Sequence, residues 1–196
     1  MIIAIKEKGK VVIGYSNTDF WCGLTDKDYV EEENVAIKFS ETGNIFAFAN
    51  MDRRSDIFLY NDDFLKTEVN PKTLIRTIIP YIKEKLIEND KPVDENGNWG
   101  NSLVICNKNH IYDIDPMFGF YESNDYVCHG YRVETLKSVL DATTNLPAEE
   151  RIMKAVTFSN KLHKENLFPI IITDTTSKTI KCIYQGEKTD EHIDSL

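Results

Sequence analysis

The chain has 196 residues, 41% of them hydrophobic and 28% charged, the proportions of an ordinary folded protein long enough to bury one substantial core. Twenty-three basic residues against thirty-two acidic ones give a net charge of −9, and an acidic surface repels phosphate backbones, so nucleic acid is not expected as a partner. The longest apolar runs span four to six residues, too few to cross a membrane, and the opening Met-Ile-Ile-Ala-Ile lacks the basic region and cleavage site of a signal peptide. Four cysteines (Cys22, Cys106, Cys128 and Cys182) lie far apart without a C-x-x-C pair, which predicts reduced thiols and a cytoplasmic location.

In chain order, residues 2–5 and 11–13 are apolar runs around the turn Glu7-Lys8-Gly9, a β-hairpin. Both runs are apolar on both alternating faces, which predicts a sheet covered on each side. Residues 16–33 read as a polar loop ending in Glu31-Glu32-Glu33. Strands are expected at Val35–Phe39 and Asn44–Phe48, then helix from Asp52 to Leu65. Asn70-Pro71 is a cap followed by proline at the first helical position. From there Leu74, Ile75, Ile78, Ile79, Ile82 and Leu86 recur at three and four, and Pro80 inside that pattern predicts a kink.

After a polar loop at 89–98, Ser102–Cys106 and His110–Asp115 form a second hairpin, followed by a strand at Tyr126–His129. Arg132–Ala142 and Ala148–Lys164 read as helices, the second burying Ile152, Ala155, Val156, Ser159 and Leu162 behind Pro147 and the first-turn acids Glu149 and Glu150. Phe168–Thr173 and Thr179–Tyr184 are the last strands, and 186–196 is expected to be a flexible tail after a single domain at 1–185. Runs of strands alternating with pairs of helices predict an α+β layered sandwich rather than a doubly wound βαβ sheet.

Several segments resemble one family in their order and spacing. Lys8-Gly9-Lys10-Val11-Val12-Ile13-Gly14 resembles the basic-Gly turn and second strand of the proteasome β-subunit and HslV family, the N-terminal-nucleophile (Ntn) hydrolases with a four-layer αββα sandwich. Phe48-Ala49-Asn50 is similar to the family's Phe-Ala-Gly at the end of the fourth strand, and Tyr126-Val127-Cys128-His129-Gly130 to the strand that ends in Gly-Ser-Gly. Leu146-Pro147-Ala148-Glu149-Glu150 is similar to the start of the family's fourth helix, and the likeness covers roughly residues 1–184.

The resemblance implies a ring-forming homo-oligomer, possible protein partners and no cofactor. It also implies a threonine, serine or cysteine at the first position, its side chain attacking and its α-amine acting as base. On the hairpin alignment Met1 falls one place after that nucleophile, the family's aspartate falls on Ser16, its lysine near Val35 to Ile37, and the serine of Gly-Ser-Gly on Tyr131. None of these can play the family role, so a catalytically degenerate assembly or partner-binding subunit is expected, with helix 70–88 and segment 52–65 as candidate contacts. The alternative is an active Ntn peptidase or amide hydrolase whose nucleophile is relocated, or supplied by an upstream residue.

If the chemistry is relocated, Ser16, Cys22 and His129 are the residues to test. Cys22 with His129 would make a Cys–His nucleophile, against the plainer reading of a thiol anchoring its loop and a structural histidine. Cys106, His110, Cys128 and His129 lack the paired spacing of a zinc site. Asp19, Asp26 and Asp28 read as a solvated loop rather than a cation or general-base cluster. Asp113 and Asp115 alternate with Tyr112 and Ile114, the pattern of a half-exposed strand.

Overall fold

A computed structural model describes residues 1–16, 37–49, 55, 57–58, 66–91, 93–130, 132–164, 167–177 and 179–183. The first hairpin forms as its sequence dictates: β1 (Ile2–Glu7) and β2 (Lys10–Ser16) pair antiparallel from Ile2–Tyr15 to Glu7–Lys10 across a two-residue turn. Ile2, Ala4, Val11, Ile13 and Tyr15 enter one apolar cluster, and Ile3, Ile5 and Val12 enter another. The hairpin is therefore buried on both faces, as its unbroken apolar character requires.

The remaining strands are β3 (Ile37–Phe39), β4 (Ile45–Phe48), β5 (Leu103–Asn107), β6 (His110–Ile114), β7 (Phe120–Ser123), β8 (Tyr126–His129), β9 (Ile170–Asp174) and β10 (Lys181–Ile183). They build two antiparallel five-stranded sheets, one in the order β10-β9-β2-β1-β8 and the other β3-β4-β5-β6-β7. The helical elements are α1 (Pro71–Thr73), a π-helical turn at Leu74–Ile78, α2 (Ile79–Glu88), α3 (Val133–Ala142) and α4 (Ala148–His163). Leu74, Ile78, Ile82 and Leu86 share a cluster with Phe46, Phe48 and Leu103 of the β3–β7 sheet. On the other side Leu136, Leu140, Ile152, Ala155 and Val156 cover β1, β2 and β9. The result is the expected αββα sandwich. Gly14 lets α4 approach β2, because a Cβ there would lie 2.6 Å from Ile152 Cγ2.

Just before Pro80 the chain widens into the π turn, with Ile79 N–H donating to the Leu74 carbonyl, and the helix then continues through α2. Two expectations are corrected. Two residues of the expected helix stripes face outward, Ile75 at 59% and Leu162 at 56% exposure. Asp113 does not sit on a half-exposed strand, since it is 1% exposed on the side of β6 that faces the other sheet. Strand β7 was not expected at all: its half-exposed Phe-Tyr-Glu-Ser at a sheet edge carries no alternation to read. Most of the helix expected at 52–65 lies outside the described residues, where only Ser55, Ile57 and Phe58 are seen, in helical conformation. The polar loop expected at 16–33 lies outside them beyond Ser16, and so does the tail expected at 186–196.

Candidate functional site: the end of the sandwich beside Met1

Strand alternation decides which side chains meet at this end. Ile2 pairs with His129 and Ile3 with Cys128, so His129 shares the inter-sheet face with Ile2 and Ala4 while Cys128 faces the helices. Met1 carries the ladder one rung further: its ammonium donates to the Ser16 carbonyl at 2.8 Å, and Ser16 N–H donates to the Met1 carbonyl at 3.0 Å. Met1 packs its side chain against the helix-side cluster. Its ladder partner Ser16 alternates with Val12 and Gly14 and so belongs to that same face, buried at 2% exposure. Gly130 closes the rung. Its φ of +125° is a backbone region that side chains rarely adopt, and a Cβ there would lie 2.9 Å from Met1 Cα.

Across the gap between the sheets, β6 presents Asp113. His129 Nε2 donates to Asp113 Oδ2 at 2.7 Å, and the Tyr121 hydroxyl donates to the same oxygen at 2.6 Å. Asp113 Oδ1, also buried, has no hydrogen-bond partner among the described residues. Tyr121 exposes half of its surface to solvent but turns its hydroxyl inward. Burial of that end and the bond to Asp113 hold the phenol above its ordinary range, so it remains a donor. With Nε2 committed to the carboxylate as a donor, the neutral imidazole of His129 keeps its lone pair on Nδ1. His129 is 24% exposed at its side chain, against 1% for Asp113.

Of the residues singled out from the sequence as a relocated site, Ser16 and His129 are described. Ser16 and His129 lie on opposite faces of one sheet and make no nucleophile–base pair. Cys22, Asp19, Asp26, Asp28 and Tyr131 lie outside the described residues. The four residues weighed as a zinc set point apart: Cys106 toward the other sheet, His110 onto Glu122 at 2.6 Å and Tyr112, Cys128 toward the helices and His129 onto Asp113. Burial pushes the Cys128 thiol up to about 12, and it raises Cys106 further still, so both stay protonated and weakly nucleophilic. Asp113 and Tyr121 are the residues that sequence reasoning missed. The one local signal was a carboxylate inside the apolar run of β6, next to Ile111, Tyr112 and Ile114.

No protein-family model and no curated protein matches the chain. Solved structures do. It is similar to Thiobacillus denitrificans BPH with a TM-score of 0.69 at 15% identity, over 89% of this chain and 97% of that one. It is also similar to Anbu, an ancestral beta-subunit, from Yersinia bercovieri, with a TM-score of 0.62 at 12% identity over 95% and 88% of the two chains. Eukaryotic HslV from Trypanosoma brucei aligns with a TM-score of 0.55 at 12% identity, over 88% and 97%. The fold is therefore that of the proteasome β-subunit and HslV class, the Ntn-hydrolase αββα sandwich.

Proposed function

We propose that this protein is a proteasome-like subunit that works by assembly and partner binding, without the reaction of an N-terminal nucleophile. One observation carries the reading: the residues aligned next to the family's nucleophile and on its aspartate, Met1 and Ser16, are spent on the sheet ladder and on the face that packs against the helices. Neither side chain belongs to the inter-sheet face, which carries Asp113 and His129. Ile75 and Ile87, at 59% and 67% exposure, give the helix at 71–88 an outward apolar surface suited to a neighbouring subunit. No described helix is long and apolar enough to cross a membrane, and a cytoplasmic homo-oligomer, arranged as a ring, fits these features.

Native mass spectrometry of the full chain, purified from its source, tests this. The expected spectrum is a closed multiple of the 22.6 kDa subunit, each copy retaining Met1. A monomer, or a subunit whose first residue is threonine, serine or cysteine, overturns the reading.

A further inference from the structure

Asp113, His129 and Tyr121 are more polar chemistry than a link between two sheets needs. A buried carboxylate costs desolvation, which a hydroxyl or an amide in the same place would largely avoid. Here the carboxylate accepts two donors on one oxygen and leaves the other without a partner among the described residues. Its effect on His129 is specific: it fixes the ring orientation, keeps the proton on Nε2, and stabilises the imidazolium that forms if Nδ1 takes up a second proton. A carboxylate behind a partly exposed imidazole is the arrangement of a general base. The other described histidines are placed differently, His110 on the outer Glu122 and His163 on the Thr135 hydroxyl.

We infer that His129 is a general base that activates water against uncharged carboxylic esters, with Asp113 as its positioning residue. The inference is independent of the assembly reading above. Water attacks the ester carbonyl carbon as His129 Nδ1 accepts its proton. The tetrahedral intermediate collapses, the bond from the carbonyl carbon to the leaving oxygen breaks, and the imidazolium returns the proton to that oxygen. An acid and an alcohol leave, and the protein is restored. A single proton carrier suits esters with good leaving groups, and the net charge of −9 disfavours anionic substrates.

The test is hydrolysis of p-nitrophenyl acetate by the full chain across pH. The described titratable groups facing His129 are Asp113 from β6 and, through it, Tyr121 from β7, with the Met1 ammonium one rung along from the Ile2–His129 pair. The expected rate rises with pH to a plateau and is slower in heavy water. His129→Gln removes the rate above background. Asp113→Asn lowers it about 10²-fold and moves the rise to lower pH, which a purely structural role would not do. His110→Gln leaves it unchanged. Should His129→Gln fail to fold, carbethoxylation of the wild-type chain, mapped by peptide mass, must abolish the rate in step with modification of His129. A rate that survives in folded His129→Gln, or after complete modification of His129, overturns the proposal.

Discussion

At the turn end of the sandwich, Thr175 Oγ1 accepts from Val11 N–H and donates to the Lys108 carbonyl, joining the two sheets through a hydroxyl and two main-chain groups. At the Met1 end the sheets meet through Asp113 and His129, with Tyr121 on the same carboxylate oxygen. The turn end carries a charged link as well, Lys6 Nζ on Glu122 Oε1 at 3.5 Å with His110 Nδ1 on the same oxygen at 2.6 Å, but there the carboxylate is about a third exposed. The set at the opposite end differs in its burial: the Asp113 carboxylate is 1% exposed and His129 24%.

Substitutions at the two ends separate these roles. The largest expected effect is Gly130→Ala, which combines an unfavourable backbone conformation with a Cβ 2.9 Å from Met1 Cα. A loss of ~3 kcal/mol in denaturant unfolding is expected. Asp113→Ala follows at ~2 kcal/mol, because the His129 and Tyr121 donors lose their common acceptor. Thr175→Val at the turn end should cost ~1 kcal/mol, equally at every pH, by removing a neutral link. If Thr175→Val proves the more damaging of these two, the contrast between the ends fails.

The smallest effect is visible only through pH. Partial burial alone would raise the Asp174 carboxyl, but the Ser177 amide, the Lys10 ammonium and the Thr176 amide outweigh it and hold the group below its ordinary range. A lowered native pKa means that the unfolded chain binds the proton first. The stabilisation is therefore present above the ordinary aspartate range and is lost as pH falls through the native value. Thermal melts of the wild type should lose stability on acidification from about pH 5 to 3, and Asp174→Asn should flatten that slope.

Much of the scaffold was legible from the sequence because its signals are local. The first hairpin showed apolar residues on both faces, and Asn70 caps the helix it announces by accepting from the Lys72 and Thr73 amides. The candidate site was legible only in part. His129 stood out as a histidine at a strand end, but its partner Asp113 lies sixteen residues away in the other sheet, so only sheet packing brings them together. The alternation of Asp113 and Asp115 with Tyr112 and Ile114 read as solvent exposure because nothing local tells a strand edge from the gap between two sheets. The π turn was hidden for a related reason: the spacing marks Pro80 as a fault but not how the preceding turn absorbs it.

The most direct measurement of the central claim uses epoxomicin, the compound held by the similar Thiobacillus denitrificans BPH structure. The full chain would be incubated with it in excess, and the intact mass and the N-terminal peptide recorded. An unchanged mass with Met1 retained is the expected result. An adduct on the first residue would contradict the account and make this protein a working N-terminal-nucleophile hydrolase.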